Sequence, residues 1–328
     1  MKHIYNPPPI AIGSVQRRGI KIIFFGSPDY AQSTLTALKK NFNVVAVVTQ
    51  EDKPQGRNKE MVQTPIKKTA LDCGIPAIDM KDTDLLAQEI KKYSPDMGVV
   101  FSFGKILPQK ILELFPMGIL NIHPSLLPKY RGPSPVQGAI LNGDEVSGVS
   151  IMLLDEKMDS GPIFAQKKIK IQNNEMAESL LRRLSEEGAK LLIKTIPQYI
   201  SQKIIPTKQK HENATYTKII KKEVGEIRWS DPAKKIYLQY RALAPWPGLY
   251  TYWNGRRLKF ISLGDIIETN EKIDAVGKVF SLKNKIFIQC GAGAISPAYL
   301  QLEGKKALTI DEFFRGNKSL LGSTLGKT

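Results

Sequence analysis

Continuous apolar runs mark the strands predicted for the first part of the chain. They are IKIIFFG (20–26), NVVAVVT (43–49), MGVVFSF (97–103) and GILNIH (118–123), followed by GVSIMLL (148–154) and GPIFAQKKIKI (161–171). Runs that are apolar on both faces are typical of strands buried inside an α/β sheet. Because helical segments separate the first four runs, the pattern predicts a Rossmann-like, doubly wound and mostly parallel sheet within residues 20–203.

Helix signals fall between these strands. Ser27 followed by Pro28 has the residue types of a helix cap and a first helical position. Thr64 followed by Pro65 repeats the signal before a second helix, which Gly74 is predicted to end. Residues 175–203 have the apolar spacing of a long amphipathic helix, which completes the α/β pattern.

The pattern changes after residue 203. Residues 204–223 are polar and basic without a clear period, and we interpret them as a linker. Short alternating runs separated by glycine and asparagine turns then follow, among them GLYTYWNG, RRLKFISLG, AVGKVFSL and NKIFIQCG. Such spacing predicts a small, OB-like β-barrel domain over residues 224–328. Residues 1–19 are predicted to be a flexible tail.

The charge of the chain adds a prediction about its partner. Lysine and arginine number 48 against 31 acidic residues, a formal net charge of +17. The excess is denser from Ile204 onward, where 21 basic residues face 11 acidic ones. A basic surface favours a polyanionic partner such as nucleic acid, and lysine-rich composition bias is the alternative explanation.

Residues 1–18 lack the apolar run of a signal peptide, and no stretch of the chain has the apolar length of a membrane span. We therefore expect a cytoplasmic protein that does not bind a membrane, with an organellar presequence as the alternative. We also expect a monomer. Cys73 and Cys290 are too few and too far apart for a disulfide framework, and we expect two buried, inert thiols in a reducing compartment.

Gly26 follows the first predicted strand, a position that invites comparison with dinucleotide-binding proteins. The sequence there, GSPDYA, lacks the second and third glycines of the fingerprint, so a nicotinamide cofactor is not expected. The later GAGAIS (291–296) follows a strand of the β-rich part and is interpreted as a turn.

Asn121 and His123 end the fourth predicted strand and lie on the same face, because strand residues alternate. Ligands of open parallel sheets bind beyond the carboxyl ends of strands. Asp159, in a tight turn between two later strands, is the candidate that orients the imidazole. Together these residues would bind an oxyanion and move a proton. A hydrogen-bonded structural histidine is the alternative interpretation.

Neither a serine nor a cysteine nucleophile is placed beside these residues, which favours direct transfer to an incoming nucleophile. The chain contains only three histidines, His3, His123 and His211, without ligand spacing, so no metal is expected.

The stretches NIHPSLLPKYRGPSPVQGAI and DEKMDSGPI together resemble the folate-dependent formyltransferases. The resemblance implies the formyltransferase fold and 10-formyltetrahydrofolate as donor, with Asn121 binding the oxyanion, His123 as the catalytic histidine and Asp159 as its aspartate. FSFGKILP (101–108) resembles the wall of the pterin pocket. The folate-binding residues implied are Phe103, Gly104, Ile106, Leu107, Ser125, Leu126, Leu127 and Pro128. We expect an apolar slot for the flat pterin ring, formed by Phe103, Ile106, Leu107, Leu126 and Leu127.

Residues 225–260 and 300–316 resemble the C-terminal domain of the branch of this family that formylates methionine on initiator tRNA. Residues 49–67 resemble its inserted loop, which approaches the acceptor end of the tRNA, although Asn58 and Glu60 depart from the usual sequence. The resemblance implies initiator Met-tRNA as partner and formylation for translation initiation. The implied tRNA-binding residues are Lys53, Arg57, Lys59, Arg256, Arg257, Lys305 and Lys306.

Three other functions stay open at this stage. A formyltransferase acting on a small amine or a nucleotide-sugar amine would share the catalytic residues but would not need the basic C-terminal part. A dehydrogenase or hydrolase using the same folate is a second alternative, and the dehydrogenase would need a catalytic cysteine domain. A non-enzymatic RNA-binding protein is the third, and it would not need Asn121, His123 and Asp159.

Overall fold

The computed structural model describes residues 19–55, 59–269 and 274–326. The predicted tail lies outside them except for Gly19. The chain divides into two compact units. The first contains residues through Pro135, Val146–Lys170 and Leu181–Thr217, and the second contains Val136–Glu145, Ile171–Leu180 and the chain from Lys218. The segment interpreted as a linker is therefore divided between the two units.

The first unit is built on a seven-stranded sheet in the order β5-β2-β1-β6-β7-β8-β9. The strands are β1 (Lys21–Phe25), β2 (Asn43–Thr49), β5 (Ala77–Asp79), β6 (Met97–Val100), β7 (Ile119–His123), β8 (Val146–Leu153) and β9 (Ile163–Lys170). The five strands from β5 to β7 pair in parallel, and β8 and β9 pair antiparallel. The predicted mostly parallel sheet is confirmed.

Six helices lie before residue 204 in the described chain. They are α1 (Gln32–Asn41), α2 (Pro65–Asp72), α3 (Thr83–Tyr93), α4 (Gln109–Leu112), α5 (Pro135–Leu141) and α6 (Ala177–Ile200). Strand β1 shows why the apolar runs are continuous. Ile22 and Phe24 enter one core cluster, whereas Ile23 and Phe25 enter another. Both faces of the sheet are thus buried, as expected for parallel strands covered by helices.

The predicted helix cap by Ser27 is wrong. A short 3₁₀ turn, Asp29–Ala31, leads into α1, and Pro28 precedes it without a side-chain cap. The Ser27 hydroxyl instead donates to the Phe103 carbonyl at 3.5 Å and accepts from the Gln50 N–H at 3.2 Å. Ser27 therefore joins the ends of neighbouring strands instead of starting a helix.

The second unit contains an antiparallel sheet in the order β10-β11-β14-β13-β12, with β15 paired to β14. Its strands are β10 (Leu249–Trp253), β11 (Arg256–Ile267), β12 (Val279–Leu282), β13 (Lys285–Gln289), β14 (Ala294–Leu302) and β15 (Leu308–Thr309). Two helices that the strand-rich interpretation missed accompany it: α7 (Ala233–Leu243) and α8 (Ile310–Gly316). Phe313 of α8 packs its ring 6.0 Å from Trp253. Burial of such aromatic surface holds this helix on the sheet.

Candidate active site

Strand β7 places Asn121 and His123 at the carboxyl end of the parallel sheet. Every residue of the strand is buried, and the two polar side chains are only 8% and 4% exposed. Both lie on the same face because their positions differ by two. On β8, Met152 pairs with Asn121 and Ser150 with His123. Two polar groups are thus fixed on a buried strand, at the edge where ligands of such sheets bind.

Asp159 reaches these groups from the turn between β8 and β9. Its Oδ1 lies 3.5 Å from Asn121 Nδ2 and 3.7 Å from His123 Nδ1. Its Oδ2 accepts from the Gly132 N–H at 2.8 Å. The backbone of Asp159 is left-handed, with φ of 49°, a conformation that aspartate tolerates better than most residues. The structure brings the three predicted catalytic residues together.

The ring of His123 is fixed by a main-chain group. His123 Nε2 lies 2.9 Å from the carbonyl oxygen of Tyr130. A carbonyl only accepts, so Nε2 carries the proton in the neutral ring and donates to it. The second nitrogen, Nδ1, therefore faces Asp159 and is the one that can gain or lose a proton. This contact was not predictable from the sequence, because every residue type carries a main-chain carbonyl.

The loop after β7 is held by hydrogen bonds from neighbouring strands. Ser125, which is fully buried, donates its hydroxyl to the Lys129 carbonyl at 2.6 Å. The Leu127 N–H donates to Ser150 Oγ at 3.1 Å, and its carbonyl accepts from Gln166 Nε2 at 2.9 Å. These bonds give the segment that follows His123 one defined conformation.

Two further residues of this loop also have fixed surroundings. Leu126 covers Gly148 of β8, where a Cβ atom would lie 2.4 Å from Leu126 Cδ2. The Pro128 carbonyl accepts from the Thr215 N–H at 3.3 Å. The four predicted folate residues Ser125 to Pro128 thus form one continuous loop beside the imidazole.

Phe103 and Leu107, two of the five residues expected to form the apolar slot, are buried in the core. Phe103 is 2% exposed and packs edge-on against Phe25, with ring centroids 5.6 Å apart. Leu107 belongs to the same core cluster, whereas Ile106 is 79% exposed. Burial of Phe103 and Leu107 in the core stabilises the fold more than exposure of these side chains in an open slot would. Gly104 lines a cavity.

That cavity has a volume of about 390 Å³ and lies beyond the carboxyl ends of β1, β2 and β6. The chain runs from β1 outward to β2 and β5, then returns to β6 on the other side, so this is the topological switch point where α/β sheets bind ligands. Ser27, Tyr30, Gln50 and Ser102 give it polar groups. Burial raises the pKa of Tyr30, against a hydrogen bond with Ser102 that lowers it. The phenol is therefore a donor at neutral pH.

A larger hollow of about 580 Å³ lies at the opposite edge of the sheet, where β1 and β2 begin. Asn43 lines it, as do Lys39 and Lys40 near the end of α1. It is remote from the carboxyl ends of the strands. We therefore assign the chemistry to the smaller cavity and the cluster at the end of β7.

The inserted loop forms a two-stranded hairpin, β3 (Lys53–Gln55) and β4 (Glu60–Val62). The Lys53 ammonium donates to Gln50 Oε1 at 2.9 Å, and Lys59 is exposed with a left-handed backbone. Arg57 lies outside the described residues. Two of the three predicted tRNA residues of this loop are thus placed on or beside the hairpin strands.

An ion cluster holds the hairpin at its base. The Lys67 ammonium lies 2.9 Å from a carboxylate oxygen of both Asp52 and Asp79. Burial lowers the pKa of Lys67, but the hydrogen bonds and charges of the two carboxylates outweigh it, so the net pKa is raised. The ammonium therefore stays charged and connects the loop to β5.

The four basic residues predicted in the second unit meet at one end of its sheet. Leu258 pairs with Leu302, which brings Arg256 and Arg257 beside the turn that carries Lys305 and Lys306. Arg256 donates to the Glu303 carbonyl, and the Arg257 guanidinium lies 4.3 Å from the centre of the Tyr250 ring. Three of the four are exposed and Arg257 is half-buried. They form a basic patch on that unit.

Sequence reasoning missed the contribution of residues 207–217. Thr207 pairs with Ile163 of β9, and Thr215 and Thr217 bond to the main chain of Arg131. Gln209 is buried and bonds to the Asp159 carbonyl. These residues bond largely to main-chain groups elsewhere in the chain. A polar composition gives no sign of such contacts.

Within residues 19–55, 59–269 and 274–326, His, Cys, Asp and Glu form no group of three that could hold a metal ion. In the same part of the chain, no helix combines the length and the apolar character that crossing a membrane requires. Cys290 is buried, and this burial raises its pKa to about 12, so its thiol is inert at neutral pH.

Comparison with known proteins shows which family the chain resembles. The profile of the formyl transferase family matches residues 20–196, and that of the formyl transferase C-terminal domain matches residues 219–318. The methionyl-tRNA formyltransferase of Thermodesulfovibrio yellowstonii is 40% identical over 301 residues, covering 90% of this chain and 96% of that protein. The chain belongs to the methionyl-tRNA formyltransferase family.

Another member of this family, from Roseiflexus castenholzii, is 40% identical over 94% of this chain and 99% of its own. Among solved structures, the N-formyltransferase of Helicobacter canadensis, in complex with folinic acid and dTDP-3-aminofucose, is similar in fold. Its TM-score is 0.64 at 23% identity, and the match covers 85% of this chain and 99% of that one. The family assignment thus covers both units of the chain.

Proposed function

We propose that this protein transfers a formyl group from a folate donor to the α-amino group of methionine carried by tRNA. The observation that carries the proposal is the cluster in which Asp159 lies beside both Asn121 Nδ2 and His123 Nδ1. Membership of the methionyl-tRNA formyltransferase family, with about the full length of its members matched, supports the same reaction.

The donor we infer is 10-formyltetrahydrofolate. It supplies a formyl carbon that an amine can attack and a nitrogen that can leave. The loop of Ser125 to Pro128 follows His123 along the chain, and Gly104 lines the cavity, so we infer that these groups bind the donor. The Helicobacter protein that shares this fold was crystallised with folinic acid, another formylated folate. We assign the pterin to main-chain groups and Ile106 instead of the buried Phe103 and Leu107.

In the reaction, the neutral α-amino group of methionine forms a bond to the formyl carbon. Asn121 and the protonated Nδ1 of His123 donate to the oxygen that becomes negative, and the Asp159 carboxylate stabilises the imidazolium. The C–N bond to the folate then breaks. Asp159, directly or through a water molecule, passes the proton of the new amide nitrogen to the departing folate nitrogen. Holding both reactants together contributes several kcal/mol.

We infer initiator Met-tRNA as the acceptor, so that the product serves translation initiation. The net charge of +17, the basic patch of Arg256, Arg257, Lys305 and Lys306, and the hairpin that carries Lys53 and Lys59 support a tRNA partner. We further propose that the protein acts as a cytoplasmic monomer and needs no metal.

A formyl-transfer assay with charged initiator tRNA and 10-formyltetrahydrofolate tests the proposal. We expect activity on Met-tRNA and little on dTDP-amino sugars or glycinamide ribonucleotide. Because His123 donates a hydrogen bond to the oxygen that becomes negative, His123→Ala should lower kcat about 100-fold or more while the folate still binds. Formylation of a small amine in preference to Met-tRNA would contradict the proposal.

A further inference from the structure

Arg131 has a buried guanidinium that is neutralised by no carboxylate. It is 2% exposed, and within the described part of the chain all of its side-chain hydrogen bonds go to uncharged groups. Nε and Nη2 donate to Gln209 Oε1 at 3.1 and 2.7 Å. Nη2 also donates to His211 Nδ1 at 3.1 Å, and Nη1 to the Tyr216 hydroxyl at 3.2 Å. All of these acceptors come from residues 209–216.

Such an arrangement is a poor means of stabilising a fold. Burying a charge carries a large desolvation penalty, and a protein with hydrophobic residues of similar volume in its place is often as stable. What the guanidinium provides is geometry, because its planar fork aligns its acceptors in one plane. The acceptor that takes two of the four bonds is Gln209.

Gln209 continues the connection to the predicted catalytic aspartate. Its Nε2 donates to the Asp159 carbonyl at 3.0 Å and to the Gly161 carbonyl at 2.7 Å. The orientation of the amide is fixed chemically, since Arg131 can only donate and the two carbonyls can only accept. One side chain thus holds both ends of the turn Asp159–Gly161.

The carboxylate of Asp159 is also hydrogen-bonded to the loop that contains Arg131. The Asp159 carboxylate accepts from the N–H of Gly132, the residue after Arg131, at 2.8 Å. Asp159 is therefore held at its carbonyl by Gln209 and at its carboxylate by the Arg131 loop. These bonds hold Asp159 in its left-handed backbone conformation, with φ of 49°.

We propose that Arg131 and Gln209 are positioning residues for formyl transfer. They hold the Asp159 carboxylate against His123 Nδ1, and residues 207–217 form part of the catalytic apparatus. This inference rests on the proposed function of Asp159. Gln209 contacts the main chain of the turn. We therefore expect its replacement to affect the reaction through the position of Asp159 and not through substrate binding.

The first test replaces the amide of Gln209. Gln209→Leu removes both donors to the turn, and a displacement of about 1 Å at a catalytic group can lower the rate about 100-fold. We expect kcat to fall about 10- to 100-fold while KM for the donor changes less than about 2-fold. Gln198→Leu makes the same chemical change at an exposed position of the same unit and should keep kcat.

A second variant keeps the test decisive if leucine prevents folding. Gln209→Glu retains an oxygen acceptor for Arg131 and gives the buried guanidinium a carboxylate partner, so the fold should persist. It lacks the two N–H donors to the turn. We therefore expect the same loss of kcat as in Gln209→Leu. Wild-type kcat in a folded Gln209→Glu protein would overturn the proposal.

A double-mutant cycle separates positioning from a merely structural role. In the Asp159→Asn background, Gln209→Glu should reduce kcat by less than about 2-fold, because the group it positions is already gone. Multiplicative losses would overturn the proposal. If Asp159→Asn itself keeps wild-type kcat, the proposed function of the cluster fails, which is a different outcome from failure of the Gln209 variants alone.

Discussion

Replacing Asp159 by asparagine should remove the charge that stabilises the His123 imidazolium while changing the shape of the site little. Asp159 Oδ1 lies 3.7 Å from His123 Nδ1, and the side chains are 15% and 5% exposed. At an effective dielectric constant near 20, two unit charges at this separation attract each other by about 4 kcal/mol. Converted at about 1.4 kcal/mol per tenfold change in rate, that energy sets an upper limit of about 1,000-fold on the loss in kcat.

The loss in rate should be smaller than this limit, because water and the amide dipole of asparagine replace part of the attraction. We expect kcat to fall about 100-fold or more for Asp159→Asn. Asparagine keeps an oxygen for the Gly132 N–H, so the fold should be preserved. Steady-state kinetics with Met-tRNA and the folate donor measure kcat and both KM values. Folate KM should change little.

Glu156→Gln is the matched control, since it removes one negative charge from an exposed position of the same turn. Its kcat should equal that of the wild type. The reasoning is refuted if Asp159→Asn keeps kcat within about threefold, or if the two variants lose activity equally. In either case the 3.7 Å approach would have no role in the chemistry.

Three further predictions concern the hairpin and the basic patch. Lys67→Met should lower the free energy of unfolding by about 2 kcal/mol, because two carboxylates lose their partner. Lys68→Met, at an exposed position, should leave the free energy of unfolding unchanged. Denaturant titration measures both variants. Since the pKa of Lys67 is raised, its stabilisation is complete below the ordinary value of 10.5 and is lost as pH rises through the folded value. Arg57→Ala should reduce kcat/KM for initiator Met-tRNA and weaken discrimination against elongator Met-tRNA, and unchanged discrimination would place specificity elsewhere. Lys305→Gln with Lys306→Gln should raise KM for tRNA and flatten its salt dependence without changing donor KM, and an unchanged salt slope would remove the patch from the tRNA interface.

Strand positions were predictable because burial on both faces leaves a continuous apolar run. β2 was placed at residues 43–49, as observed, and the prediction for β7 began one residue early. The same pattern predicted Asn121 and His123 on one face of the strand, because side chains two residues apart in a strand point to the same side. These features depend on neighbouring residues and on period, so a single sequence contains the information.

Other features depend on partners far along the chain. Phe103 was assigned to a ligand slot, but an apolar residue after a strand has the same appearance whether it faces a ligand or a core, and here it packs on Phe25. Gln209 lies 50 residues from Asp159 in a polar, aperiodic segment. Its role depends on the direction of one amide, which no local pattern encodes.

The bonds between residues 207–217 and the loop of Arg131 restrict how this protein can be recombined with its relatives. A chimera that exchanges the C-terminal domain at residue 204, where the composition changes, would combine a Gln209 segment from one parent with an Arg131 loop from another. Any mismatch in that pair would lower activity on every acceptor and could be mistaken for a defect in tRNA recognition. A junction after Thr217 takes the Gln209 segment and the Arg131 loop from the same parent, which removes this source of mismatch.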